Sequence, residues 1–113
     1  MKRVLIVDDE PVVRALVVAS LAGECEVDAA VDGSAALASV EELRPDLILL
    51  DVGLPGMSGA EVLRRLRADE LTKSIPVLML TGLEPPQELQ PDGVLLKPFT
   101  PASLKASVAG WIA

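Results

Sequence analysis

Short apolar runs alternate with stretches of helical periodicity along the 113-residue chain. Lys2–Val7 is the first run. Pro11 suits a helix start, and Val13, Leu16, Val17 and Leu21 then recur at helical spacing until Gly23. Cys25–Val31 is small and β-branched, Asp32 and Gly33 break it, and Leu37, Val40 and Leu43 mark a second helix that must stop before Pro45. Asp46–Asp51 is another apolar run and ends in a carboxylate. After the loop LPGMSG (54–59), Val62, Leu63 and Leu66 among Arg64, Arg65 and Arg67 predict an amphipathic helix. Pro76–Leu80 and Val94–Leu96 read as a fourth and a fifth strand, and Leu104, Val108, Trp111 and Ile112 share an apolar face on a closing helix.

Five strands alternating with helices predict an α/β domain built on one parallel sheet with helices on both faces, because parallel neighbours need crossovers and doubly buried strands show continuous apolar runs. In such sheets ligands bind beyond the carboxyl ends of the strands, so polar residues there carry the chemistry. The connection between Thr81 and Gly93 is short and holds Pro85, Pro86 and Pro91. It leaves room for about one turn of helix near Gln87–Gln90, against the roughly 11–12 residues of an average helix.

Length fits a single domain over residues 1–113, with no output domain in this chain. The net charge of −7, with Phe99 and Trp111 the only aromatics, argues against a nucleic-acid surface. No apolar run approaches the roughly 20 residues of a membrane span, and Val4–Val7 is shorter than a signal h-region, so a cytoplasmic protein is expected. Cys25 is the only cysteine and histidine is absent, so any metal must be oxygen-bound. Cys25 itself is expected to be a buried strand thiol, Trp111 a core residue, and Arg64, Arg65 and Arg67 a solvated helix face.

Asp8 and Asp9 follow the first strand, Asp51 ends the third, Thr81 follows the fourth and Lys97 the fifth, so all five are expected at one sheet edge. Three neighbouring carboxylates repel, and relief comes from a raised pKa, from pairing with Lys97 or from a hard cation; Mg²⁺ fits best where phosphoryl groups move. With a phosphoryl donor, one carboxylate can attack in line while Lys97 and Thr81 stabilise the equatorial oxygens. Asp51, alone at the end of LILLD, is the natural nucleophile, and the adjacent Asp8 and Asp9 suit metal holding. Taken singly, an Asp at a strand end is more often a helix cap and Thr81 an ordinary turn residue. Five such residues at one edge outweigh those separate explanations.

The stretches VLIVDDEP (4–11), LILLDVGLPGMSG (47–59), VLMLTG (77–82) and LLKPF (95–99) resemble, in order, the four signature stretches of the receiver domain of bacterial response regulators. The resemblance runs from about Lys2 to the last helix. It implies a flavodoxin-like, doubly wound five-stranded parallel sheet in the order 2-1-3-4-5, here with a shortened or missing fourth helix. It also implies Asp51 as phosphoacceptor, Asp9 as a direct Mg²⁺ ligand, Asp8 as a ligand through water and the Gly53 carbonyl as a further ligand. Thr81 is then the hydroxyl that follows the phosphoryl group and Lys97 the ammonium that binds it, with Lys97–Pro98 a bond that is often cis in the family. The implied role is a two-component signalling domain rather than an enzyme. A histidine kinase or histidine phosphotransfer protein donates the phosphoryl group, and a downstream output protein or domain reads it; a homodimer stays open.

Val94 stands where the family commonly has a tyrosine or phenylalanine. With the short Gly82–Asp92 connection, this predicts readout through another surface, the first helix or the loop Gly53–Gly59. Gly53 and Leu83 flank the expected path of hydrolytic water, and Glu10 and Pro11 are expected only to open the first helix. Two alternatives are weaker. A phosphorylation-independent interaction module would not need all five polar positions, and a phosphohydrolase wants a second acid where Gly53 stands.

Overall fold

A computed structural model describes residues 1–82 and 90–113. Nine elements follow in the order β1 (Arg3–Val7), α1 (Pro11–Leu21), β2 (Glu26–Ala30), α2 (Gly33–Leu43), β3 (Leu47–Asp51), α3 (Gly59–Ala68), β4 (Val77–Thr81), β5 (Gly93–Leu96) and α4 (Pro101–Ile112) among the described residues. All strand pairs are parallel, in the order β2-β1-β3-β4-β5, as the family resemblance implied. Each strand lies within about one residue of its expected span. The helical turn expected at Gln87–Gln90 falls mainly outside the described residues; Gln90 itself has φ 46° and is not helical.

Alternate residues of the three inner strands feed two cores. Leu5, Val7, Ile48, Leu50, Val77 and Met79 pack against Ala36 and Val40 of α2 and Val62, Leu63 and Leu66 of α3. Val4, Ile6, Leu47, Leu49, Leu78 and Leu80 pack against Val17 and Leu21 of α1 and Leu104 and Val108 of α4. Burying each such side chain contributes about 1.5–3 kcal/mol, whereas an exposed ion pair such as Lys73–Glu70 contributes at most about 1 kcal/mol. Apolar pattern therefore sets the register, and a slip of one residue would exchange the two cores.

Local chemistry fixes the helix ends. Asp32 accepts from the Ala35 N–H, Ser58 from Glu61, and Thr100 forms a reciprocal capping box with Ser103. Arg44, in the left-handed region at φ 50°, closes α2 before Pro45.

Two side chains differ from expectation. Trp111 is 39% exposed, because Ile112 rather than Trp111 packs beside Leu104 and Val108. Arg64 and Arg65 do form a solvated face, both paired with Glu61. Arg67 does not belong to it. Its guanidinium donates to the Lys73 and Ile75 carbonyls at 3.2 and 2.9 Å and pairs with Asp92, whose carboxylate also accepts the Val77 N–H at 2.7 Å. This knot ties α3 to the starts of β4 and β5. Arg67→Met is expected to cost about 1.5–3 kcal/mol, the range for hydrogen bonds to charged groups, read as a lower urea midpoint at unchanged slope; an unmoved midpoint would show the knot to be incidental. Cys25 is buried as expected, and burial, reinforced by Glu24, pushes its thiol above the ordinary value.

Candidate functional site

The registers align the strand ends. Val7 pairs with both Ala30 and Leu50, Asp51 with Leu80, and Thr81 with Leu96. The ladder runs on past the strands, with Asp8 N–H donating to the Ala30 carbonyl and Lys97 N–H to that of Thr81. The residues that follow each apolar run therefore emerge at one edge. Asp8, Asp9, Asp51, Thr81 and Lys97 all lie there, and Lys97–Pro98 is cis.

Carboxylate oxygens of Asp8, Asp9 and Asp51 lie within 4.8 Å of one another. Asp8 is fully buried, Asp51 and Thr81 nearly so, and Asp9 is exposed. Lys97 Nζ bridges the two buried carboxylates, at 2.8 Å from Asp8 Oδ2 and 3.1 Å from Asp51 Oδ1. Burial holds the Asp51 carboxyl above its ordinary value; the Lys97 hydrogen bond counters this, the Asp8 charge reinforces it, and a backbone hydrogen bond from Gly53 works against it. For Lys97 burial opposes the charge, but the bonds to Asp8 and Asp51 outweigh it and keep the ammonium above its usual value.

An open cleft of about 560 Å³ exposes Asp9, Asp51, Gly53, Thr81 and Lys97 together. A Cβ built on Gly53 meets nothing within 4 Å, so this wall of the cleft is open space. One ammonium faces three carboxylates, which leaves the cleft anionic, and an all-oxygen donor set with one exposed member suits a hard divalent cation of the Mg²⁺ class. The arrangement can also hold a phosphoryl group, with Asp51 as an oxygen nucleophile and Lys97 and Thr81 beside it.

Sequence reasoning passed over three residues of this edge. Arg14 reaches back from α1 and donates to the Asp8 carbonyl at 2.8 Å. Glu10, expected only to open α1, does occupy its N-cap, yet its N–H donates to Asp8 Oδ1 at 2.9 Å and its carboxylate approaches Lys97. Gly59, read as the end of a loop, has no room for a side chain, since a Cβ would fall 2.3 Å from the Asp51 carbonyl oxygen. A charged residue breaking the otherwise uncharged helix PVVRALVVASL was the one available signal for Arg14.

Comparison with known proteins agrees with this geometry. The family model "Response regulator receiver domain" matches residues 4–109. The DNA-binding response regulator MtrA of Mycolicibacterium smegmatis is 44% identical over 119 residues, covering 95% of this chain and 49% of that protein. This chain thus spans about half the length of the curated relatives it matches. Among solved structures, the chemotaxis protein CheY4 of Vibrio cholerae superposes with a TM-score of 0.90 at 35% identity, covering 98% of both chains. The receiver domain of sensor histidine kinase PA1611 from Pseudomonas aeruginosa, solved with a magnesium ion in its active site cleft, gives 0.88 at 32% identity over 98% of this chain and 97% of that one. With sheet order, strand-end residues and sequence match in agreement, the chain belongs to the response regulator receiver domain family.

Proposed function

We propose that residues 1–113 act as one receiver unit that takes a phosphoryl group on Asp51 from a histidine kinase or histidine phosphotransfer protein and signals through altered partner binding. One observation carries this reading: Lys97 Nζ spans Asp8 and Asp51 at 2.8 and 3.1 Å, inside an anionic cleft that Thr81 shares. Asp51 Oδ forms the new P–O bond while the donor's P–N bond breaks and the imidazole nitrogen leaves with the electron pair; the carboxylate carries no proton to lose. Lys97 turns to the phosphoryl oxygens, and the Thr81 hydroxyl donates to them. Asp8, Asp9, Asp51 and the Gly53 carbonyl are the groups that would hold Mg²⁺. When bound, that ion would offset the repulsion between the carboxylates and an anionic donor and stabilise charge on the phosphoryl oxygens.

The partner that reads the occupied state is an output protein or domain, and the outer side of α1 supports its docking there, since Val12 is 78% exposed. An acidic chain of net charge −7 does not itself favour nucleic acid. The deciding test is intact mass after incubation with Mg²⁺ and acetyl phosphate. One added phosphoryl group is expected on the wild type, none on Asp51→Asn, and slower addition on Asp9→Asn. An unlabelled wild type, under conditions that label a control receiver, would sink the proposal.

A further inference from the structure

The Lys97 ammonium meets a third carboxylate besides the buried pair. Glu10 Oε1 lies 3.5 Å from Nζ. The Asp8 and Asp51 side chains are 0% and 9% exposed, whereas that of Glu10 is 61% exposed and lines the cleft at its mouth. Lys97 is therefore gripped from two sides, by buried oxygens within and by a solvated one without.

Local structure explains why this carboxylate faces the cleft. Glu10 is the N-cap of α1, with φ −89° and ψ 117°, but its side chain makes no capping hydrogen bond. A serine or aspartate in that position would fold back onto the helix N–H groups; the longer glutamate is left free to approach Lys97. Its main chain is tied down on both sides, by the bond from its own N–H to Asp8 Oδ1 and by Pro11 at the first helical position. The position of Glu10 thus follows the Asp8 strand end.

We propose that Glu10 is a positioning residue: it tethers the Lys97 ammonium at the mouth of the cleft, favours a divalent cation inside it, and opposes loading of Asp51 by small anionic phosphoryl donors. This rests on Asp51 being the phosphoacceptor. In loading from acetyl phosphate, the donor P–O bond breaks as the P–O bond to Asp51 forms, and acetate leaves with the electron pair. For Lys97 to stabilise that transfer it must give up Asp51 Oδ1, and Glu10 then competes with the phosphoryl oxygens for the same three N–H donors. The Glu10 charge acts in the same sense on the donor, by repulsion, and in the opposite sense on a cation, by attraction. Its removal accordingly moves two observables in opposite directions, which the loss of a merely structural N-cap would not do.

The test compares the wild-type chain with Glu10→Gln, an isosteric change at a mostly exposed side chain. With Mg²⁺ and acetyl phosphate, Glu10→Gln is expected to acquire the phosphoryl mass about two- to fivefold faster, the range for a partly solvated ion pair. The gain should be smaller with phosphoramidate, which carries one negative charge fewer at neutral pH, and should shrink at high salt as the charges are screened. Mg²⁺ affinity, measured by titration calorimetry without any donor, should fall by a similar factor. Unchanged or slower loading, or unchanged Mg²⁺ affinity, overturns the role given to Glu10 and leaves Asp51 as phosphoacceptor. An unlabelled wild type overturns the phosphoacceptor reading instead, and the calorimetric comparison still decides whether the Glu10 charge acts on the cation.

Discussion

Replacing Gly59 with alanine is expected to destabilise the fold by about 3 kcal/mol, at the upper end of what overpacking usually costs, and to slow loading of Asp51 in the molecules that stay folded. The new Cβ would sit 2.3 Å from the Asp51 carbonyl oxygen, 2.9 Å from Val52 Cα and 3.1 Å from the Asp51 carbonyl carbon. All three are backbone atoms, so no side chain can swing aside to make room. Helix α3 begins at Gly59, and its N–H donates to the Val52 carbonyl at 3.1 Å, which pins the helix start onto the end of β3. Relief must come either from lifting α3, which loosens Val62, Leu63 and Leu66 in one core, or from pushing back the main chain of Asp51. The second route moves the carboxylate away from Lys97. Gly56→Ala provides the contrast. Gly56 has open space around its Cβ position and is constrained only by φ +69°, so its strain is confined to one left-handed turn, which costs about 1–2 kcal/mol. Urea unfolding of the two variants measures both losses, and a Gly59→Ala loss no larger than that of Gly56→Ala would rule out the packing explanation.

The same contrast shows what the sequence could and could not disclose. LILLD and VLMLT announce buried strands because every position is apolar until the last, and that last residue is then exposed to chemistry by the strand simply ending. Asp8, Asp9, Asp51, Thr81 and Lys97 were legible for this reason: one topological rule, that polar residues follow apolar runs, places all five. Glu10, Arg14 and Gly59 were not, because each acts through a contact across the chain. Arg14 bonds a carbonyl six residues back, Glu10 approaches a lysine 87 positions on in the sequence, and Gly59 is defined by a backbone that comes near only when β3 and α3 pack. Apolar periodicity describes which face of a helix is buried, not what presses on its first residue. It also could not choose between Trp111 and Ile112, which lie seven and eight residues after Leu104 and are both compatible with its face.

Val94 concerns the relay rather than the chemistry. It pairs in register with Met79 on β4 and is 43% exposed, so no ring stands there to follow movement of the Thr81 hydroxyl. Val94 and Leu96, on the same side of β5, instead leave apolar surface near the solvent. Among the described residues, Lys97 is the one that links Asp51 to another strand end by an ion pair.

Lys97→Met should therefore have the largest electrostatic effect in the molecule. It leaves Asp8 and Asp51, with side chains 0% and 9% exposed, buried without a counter-charge. Breaking one side of a buried ion pair costs about 3–5 kcal/mol, and the remaining Asp9 and Glu10 charges add to the repulsion. This loss should be conditional. Burial already holds the Asp51 pKa above its ordinary value, and loss of the Lys97 bond removes a contribution that lowers it, so the folded-state value rises further. An acid whose folded pKa exceeds its unfolded one destabilises the fold at higher pH, and stability returns as pH falls through the folded pKa toward the unfolded value. The deficit of Lys97→Met should accordingly be full at neutral pH in chelator and shrink on acidification. It should shrink also when Mg²⁺ is added, because a ligand that binds only the folded chain stabilises it by mass action, and in Lys97→Met/Asp51→Asn, where one buried charge is gone. Thermal unfolding of the wild type, both single variants and the double variant, each in chelator and in Mg²⁺, separates these contributions. Equal deficits in every condition would mean that the lysine supports the fold through its apolar stem, and the charge balance drawn for the cleft would then be wrong.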